Sequence, residues 1–135
     1  MPSQMVLDTD ILSAIMRKNP AVLPRARAYL QEHGRFTFSV ITHYEILRGP
    51  QAKKADTQIS AFRRFGTRSI VMPITQEVAD VAAAIYAELS RRGELIGDAD
   101  ILIAASARVQ GLGVASNNEK HFQRVHDLQV ENWLK

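Results

Sequence analysis

The chain has 135 residues, of which 46% are hydrophobic and 23% are charged, and both fractions are typical of globular proteins. These values exclude a disordered chain, a collagen-like repeat and a coiled coil. A chain of this length can bury enough surface for one self-sufficient core, so a single domain over residues 1–135 is expected. The lack of cysteine excludes disulfides, zinc fingers, iron–sulfur clusters and thiol catalysis.

The location of the protein is predicted from its apolar segments. No apolar run approaches the roughly 20 residues that span a bilayer. The first residues also lack the basic end and the long apolar stretch of a signal peptide. We therefore expect a cytoplasmic protein that makes no membrane contact.

Short apolar segments alternate with amphipathic helical segments along the chain. The apolar patterns predict strands at residues 6–7, 35–39, 69–72, 114–115 and 128–130. Helical spacing predicts helices that begin after Asp8, at Pro20, after Ser39, near Lys54, after Thr75 and at Gly97, with at most one turn over 118–122. Gly49 and Pro50 are expected to end the third helix. This alternation predicts an α/β fold, a three-layer α/β/α sandwich with a short, mostly parallel central sheet.

Four acidic residues occur where such a sheet forms its ligand crevice, beyond the carboxyl ends of the strands. Asp8 follows the first strand, Glu45 lies in the helix after the second, and Asp98 and Asp100 begin the helix before the fourth. Converging carboxylates repel one another unless a cation or a proton lies between them. Oxygen ligands favour Mg²⁺ or Mn²⁺ over Zn²⁺ or copper. Such a cation can polarise a phosphodiester and activate a water molecule.

Several of these acids also have a purely structural explanation. Asp8 or Asp10 can be only the N-cap of the first helix. Glu45 can pair with Arg48, three residues later, on an exposed helix face. The function of each acid therefore stays open at this point.

The second acidic pair, Asp98 and Asp100, can simply complement the dipole of the helix that it begins. Residues two apart on a helix point about 200° from each other. Asp100 is therefore the preferred metal ligand, and Asp98 reaches the same site only if it precedes the helix.

Polar residues also follow the fourth strand. Ser116, Asn117 and Asn118 can hold a metal-bound water or a phosphate oxygen, or they can form a plain turn. The nearby histidines, His121 and His126, are expected to have surface roles, as is His43 in the third helix.

Lysine and arginine outnumber aspartate and glutamate, 17 to 14, and the excess is concentrated between residues 48 and 68. That stretch contains one acid, Asp56, and six cations: Arg48, Lys53, Lys54, Arg63, Arg64 and Arg68. A local positive field of this kind attracts RNA or DNA. A solvated helix face is the alternative explanation.

Four segments together resemble the PIN-domain family, and most closely its VapC ribonuclease toxins. They are residues 6–10 (VLDTD), 39–49 (SVITHYEILRG), 96–105 (IGDADILIAA) and 115–122 (ASNNEKHF). Each motif alone has low specificity. Their occurrence in this order over nearly the whole chain makes the resemblance specific.

The resemblance implies a PIN-like fold and an endoribonuclease that depends on Mg²⁺ or Mn²⁺. Its acids are Asp8, Glu45 and Asp100, with Asp98 a frequent neighbour. The resemblance also implies an RNA substrate such as tRNA, a homodimer, and a VapB-type antitoxin that blocks the site and represses its own promoter on operator DNA. Many members carry another acid where this chain has Asn118 and His121, so one tightly held metal ion is expected.

Two other functions fit parts of the sequence. A phosphatase of the haloacid dehalogenase type also carries two aspartates after a strand, as Asp8 and Asp10 do, but the Gly-Thr that follows in that family is missing here. A non-catalytic module that binds RNA or a protein partner uses the acids only as helix caps. Substitution of Asp8 distinguishes these alternatives, because it changes no activity of the second.

Overall fold

Short parallel strands form the centre of the fold, in the order β3-β2-β1-β4-β5. A computed structural model describes residues 3–135. In this part of the chain the strands are β1 (Met5–Leu7), β2 (Thr37–Ser39), β3 (Ile70–Met72), β4 (Gly113–Ala115) and β5 (Val130–Glu131). The helices are α1 (Thr9–Met16), α2 (Leu23–His33), α3 (Val40–Ala52), α4 (Asp56–Thr67), α5 (Gln76–Arg91), α6 (Asp98–Gln110) and α7 (Glu119–Phe122).

The central strand β1 shows why helices cover both faces of the sheet. It pairs in parallel with β2 and with β4. Its middle residue Val6 packs into a core formed largely by α5 and α6, whereas Met5 and Leu7 pack into a second core with α1, α2 and α4. Alternate strand residues point to opposite faces, so a strand buried on both sides must be continuously apolar. The predicted α/β/α sandwich is confirmed.

The second core is rich in aromatic side chains and holds the C-terminal residues in place. Trp133 is 2% exposed, and its ring centroid lies 5.3 Å from that of Tyr29. The Tyr29 hydroxyl is in turn 3.2 Å from the backbone nitrogen of Met5. Full burial of one large apolar side chain contributes about 1.5–3 kcal/mol. Packing of Trp133 therefore fixes the residues after β5 against α2.

Two element boundaries differ from those predicted. Helix α3 continues through Gly49 and Pro50 to Ala52, because a glycine before proline lacks the Cβ that clashes with the proline ring. Helix α2 begins at Leu23 rather than at Pro20. Its start is delayed because the Asn19 side chain accepts the N–H of residue 21 and forms a turn there.

The length and composition of the helices also bear on membrane insertion. Over residues 3–135, none of them combines the length and the apolar composition that crossing a bilayer requires.

Candidate carboxylate site

Asp8 lies at the carboxyl end of β1, where the chain turns into α1. Its backbone is extended (φ −70°, ψ 160°), which makes it the N-cap of α1. Its N–H donates to the Ala115 carbonyl at 2.8 Å and so continues the pairing with β4. Oδ1 accepts the Thr9 N–H at 2.8 Å, and Oδ2 accepts the Ser116 hydroxyl at 2.7 Å. Asp8 is therefore a helix cap and also a carboxylate at the crevice edge of the sheet.

Asp10 belongs to the same site. Because Asp8 occupies the cap position, Asp10 is the second residue of α1 and is not the cap. Its Oδ2 accepts the N–H of Asn117 at 3.0 Å, and its Oδ1 accepts the N–H of Ile11 at 2.7 Å. Asp10 thus joins the first helix to the loop after β4.

Burial and mutual repulsion disfavour the charged forms of Asp8 and Asp10. Loss of solvation, followed by repulsion from Asp10, raises the pKa of Asp8 from 3.8 to about 7. Hydrogen bonds from Ser116 and Thr9 lower this pKa, and the charge of Asp100 raises it further. The pKa of Asp10 is also raised, chiefly by burial and in part by Asp100. The three carboxylates therefore interact, and a cation between them relieves the repulsion.

Asp100, in the first turn of α6, is joined to the same region by His121. Its Oδ2 lies 2.8 Å from Nδ1 of His121, and that nitrogen lies 2.8 Å from Nδ2 of Asn118. One ring nitrogen can donate to the carboxylate or accept from the amide, but it cannot do both. The contact with Asp100 therefore requires the proton on Nδ1. His121 lies at the surface, as predicted, with 37% of its side chain exposed, and its ring also contacts a carboxylate of the site.

Glu45 is held next to this cluster by a hydroxyl group. The Thr9 hydroxyl donates to Oε1 of Glu45 at 2.6 Å and lies 3.1 Å from the hydroxyl of the buried Thr42. Thr9 lies between Asp8 and Asp10 in the sequence. Glu45 is therefore connected to the interacting aspartates through the residue that separates them. The alternative pairing of Glu45 with Arg48 is not formed, and the Arg48 guanidinium stacks instead 5.6 Å from the centre of the Tyr44 ring.

Asp98 is not brought to the carboxylate cluster. Gly97 is the N-cap of α6 and Asp98 is already helical, so Asp98 and Asp100 point in very different directions. Asp98 lines a small cleft with Ala82 and Tyr86 of α5. The condition for its participation with Asp100, a position before the helix, is therefore not met.

One segment touches all three interacting aspartates. Residues 116–121 pair with them as follows: Ser116 with Asp8, Asn117 with Asp10, and His121 with Asp100. The N–H of Asn118 donates to the Ser116 hydroxyl at 2.8 Å, which orients that hydroxyl toward Asp8. Residues 116–121 comprise the turn after β4 and the start of α7, and we call them together the β4–α7 loop. This loop fixes the position of Asp100 relative to Asp8 and Asp10, which are far from it in the sequence.

The donor chemistry of the site fits a hard divalent cation. The three carboxylates offer only oxygen atoms, which Mg²⁺ and Mn²⁺ prefer. Within residues 3–135, no three acidic or histidine side chains already stand close enough to share one ion. A cation therefore has to draw the side chains together. Each hydrogen-bonded carboxylate oxygen keeps a second lone pair for this purpose.

The basic side chains between residues 48 and 68 point in different directions, because two of them lie next to each other on α4. Arg63 and Arg64 are consecutive, so they point about 100° apart on the helix. Arg64 lines a groove of about 780 Å³ together with Lys18 and Arg68. Arg63 lines a different cleft, next to His43. The stretch is therefore not one continuous face.

The groove lined by Lys18, Arg64 and Arg68 lies away from the carboxylates. It also includes the residues that immediately precede β2 and β3, so it opens at the amino ends of the parallel strands. The three remaining cations of the stretch are exposed on α3 or in the turn after it: Arg48, Lys53 and Lys54.

The other two histidines that were predicted to lie at the surface, His126 and His43, differ in their exposure. His126 is exposed and lies 3.3 Å from a Glu88 oxygen, which confirms a surface role. His43 packs on Phe62, with 5.3 Å between the ring centres, and among residues 3–135 its buried Nδ1 has no hydrogen-bond partner. The surface role predicted for His43 is therefore wrong.

Comparison with known proteins agrees with this architecture. The PIN domain family model matches residues 5–128. The chain is 35% identical over 131 residues to Ribonuclease VapC2 of Haemophilus influenzae, covering 96% of this chain and 97% of that protein. It is 31% identical over 129 residues to the tRNA(fMet)-specific endonuclease VapC of Shigella flexneri, covering 95% and 96%.

A solved structure shows the same fold. VapBC2 from Rickettsia felis, bound to a DNA fragment from its promoter, aligns with a TM-score of 0.84 and 26% identity, covering 96% of this chain and 98% of that one. The predicted family is confirmed, and the two aspartates after β1 belong to this fold rather than to a haloacid dehalogenase-type phosphatase. The chain is a member of the PIN-domain family and, within it, of the VapC ribonucleases.

Proposed function

We propose that the protein is a divalent-metal-dependent endoribonuclease and the toxin of a toxin–antitoxin pair. The observation that carries this proposal is that Asp8 and Asp10, at the start of α1, and Asp100, far away in the sequence, are all bound by residues 116–121 at one edge of the sheet. Burial, and to a smaller extent repulsion from Asp10 and Asp100, raises the pKa of Asp8 to about 7. A protein retains such an arrangement at a stability cost, which is typical of functional sites. Family membership in the VapC ribonucleases supports RNA as the substrate.

Each residue of the site has a proposed task. Asp8, Asp10 and Asp100 hold Mg²⁺ or Mn²⁺, and Thr9 orients Glu45 as a further acid at the edge of the cluster. When bound, such a cation polarises a phosphodiester oxygen and lowers the pKa of water. Asn118 contacts His121, which in turn contacts Asp100. The Asn118 amide can donate a hydrogen bond to a phosphate oxygen. Asp98 contributes only if α6 unwinds at its first residue.

Removal of divalent metal is expected to abolish cleavage. With purified protein and a total tRNA substrate, we expect EDTA to lower the cleavage rate more than about 100-fold, because a bound cation supplies several kcal/mol of transition-state stabilisation. Excess Mg²⁺ or Mn²⁺ restores the rate. An Asp8→Asn protein, carried through the same purification, controls for contaminating ribonuclease. Equal cleavage with and without EDTA contradicts the metal mechanism.

The partner proposed for the groove between α1, α2 and α4 is a VapB-type antitoxin. The groove combines apolar residues such as Ile15 and Phe65 with the cations Lys18, Arg64 and Arg68. This lining fits an amphipathic segment whose polar face carries acidic side chains. VapBC complexes among the similar structures, one of them on promoter DNA, support such a partner and operator binding by the complex.

The remaining proposals concern the substrate and the assembly. We propose that Arg48, Lys53, Lys54 and Arg63 bind the RNA backbone outside the site, whereas Arg64 lines the groove proposed for the antitoxin. A similar protein that is named a tRNA(fMet)-specific endonuclease makes tRNA the first substrate to test. We also propose that the protein acts on RNA in the cytoplasm. It does so as a homodimer of single-domain chains.

A further inference from the structure

Asn132 is a buried polar residue outside the carboxylate site, and its side-chain amide uses both its donors and its acceptor. It lies directly after β5 and is 6% exposed. Its Nδ2 donates to Oδ1 of Asn117 at 3.0 Å and to Oε1 of Glu119 at 2.8 Å. Its Oδ1 accepts the N–H of Leu134 at 2.9 Å, and its carbonyl accepts a hydrogen bond from Arg25 at 2.9 Å.

These bonds join the C-terminal segment to the β4–α7 loop. Asn132 binds that loop at two points, Asn117 and Glu119. The N–H of Asn117 donates to Asp10. A path of two hydrogen bonds therefore leads from Asn132 through Asn117 to a carboxylate of the site.

The path is rigid at its Asn132 end. The neighbouring Trp133 is buried against Tyr29, so Asn132 is anchored in the second core and does not follow the loop. A buried amide with both donors satisfied by two side chains also has a defined orientation. Asn132 is therefore held in place independently of the loop, and the loop is positioned against it.

We propose that Asn132 is a positioning residue for the carboxylate site, acting through Asn117 on Asp10. This inference rests on the proposed metal-dependent function. Groups that orient metal ligands are typically worth 10- to 100-fold in metal affinity. Asn132 is expected to act in this way without contacting the metal or the RNA.

Two substitutions break the path at different points. Asn132→Leu keeps the branching and the number of heavy atoms of the side chain and removes the amide. Asn117→Ala removes the acceptor at an exposed position and keeps the N–H that donates to Asp10. In both proteins we expect Mn²⁺ affinity, measured by isothermal titration calorimetry, to fall about 10-fold. The double variant is expected to lose no more than the more severely affected single variant, because the two changes break one path.

Lys135→Ala is the matched control. It removes the 2.8 Å ion pair between Lys135 and Glu119, which joins the same C-terminal segment to the same loop, but it leaves every bond of Asn132 in place. Wild-type Mn²⁺ affinity is expected for this variant. An equal loss in Lys135→Ala contradicts the proposal, because it shows that any loosening of the segment is sufficient.

Amide hydrogen exchange of the metal-free protein provides a readout that does not depend on metal. The Asn117 N–H is expected to exchange faster in Asn132→Leu, while amides in the core of α6 keep their protection. Unchanged exchange at Asn117 overturns the inference, as does wild-type Mn²⁺ affinity in a folded Asn132→Leu protein. If that variant does not fold, wild-type affinity in Asn117→Ala overturns it. Failure of the wild type to bind Mn²⁺ refutes the proposed function, and the exchange result still decides the role of Asn132.

Discussion

Asp8→Asn is expected to lower kcat/KM for RNA cleavage by more than about 100-fold, because groups that merely orient metal ligands are already worth 10- to 100-fold. The same substitution is expected to stabilise the metal-free protein by about 3 kcal/mol at pH 7.5, since about 4 kcal/mol from the removed charge is offset by about 1 kcal/mol for one lost hydrogen bond. It removes a buried charge whose pKa is raised from 3.8 to about 7. It also keeps the N-cap, because asparagine caps helices as well as aspartate does.

The opposite signs of these two effects separate catalysis from folding. Urea unfolding and RNA cleavage are measured on the same preparations, with Asp80→Asn as a control at an exposed position of α5. The control is expected to leave both quantities unchanged. A destabilised Asp8→Asn protein, or one that cleaves RNA at the wild-type rate, contradicts the assignment of Asp8 as a crowded metal ligand.

The stability of the metal-free wild type is expected to fall as the pH rises from about 4 to about 7. The pKa of Asp8 is 3.8 when the chain is unfolded and about 7 when it is folded. In this interval the folded protein keeps a proton that the unfolded chain has lost, so raising the pH favours unfolding. The pKa of Asp10 is raised as well and acts in the same direction.

Comparison with Asp8→Asn isolates this contribution from all other titrating groups. The difference in unfolding free energy between the variant and the wild type is expected to grow by about 3 kcal/mol between pH 4 and pH 7 and to level off above. Saturating Mg²⁺ is expected to remove most of the difference by stabilising the charged form of Asp8 in the wild type. A difference that does not change with pH shows that the Asp8 carboxyl titrates normally.

Most of the fold was predictable because its signals are local. The apolar segment around Val6 and the helical stripe that contains Ile85 identify a doubly covered strand and the helix that packs on it. The start of α2 and the end of α3 were not predictable, since they depend on the Asn19 side chain and on a glycine before Pro50.

The two acidic pairs show how far the site could be predicted from the sequence. Both have aspartates two positions apart at the start of a helix, and the sequence pattern is the same. Asp8 precedes its helix, so Asp8 and Asp10 can meet, whereas Asp98 is already helical and diverges from Asp100. One residue of difference in the helix start decides the outcome, and helix boundaries are the least predictable feature of a sequence.

Contacts between distant segments were also outside what the sequence could indicate. The bond between Thr9 and Glu45 and the contact between Asp100 and His121 depend on how β1, α3, α6 and the β4–α7 loop pack. The Asp-Thr-Asp pattern contained the relevant hint, because a hydroxyl between two carboxylates is well placed to bind a third.

Anomalous diffraction from crystals grown with Mn²⁺ tests the carboxylate site most directly. We predict one Mn²⁺ peak at the carboxyl edge of the sheet, with oxygens of Asp8 and Asp100 at about 2.0–2.6 Å from the ion. A fully loaded crystal with no peak between these residues, or with Mn²⁺ bound only elsewhere, contradicts the metal site and the nuclease mechanism built on it.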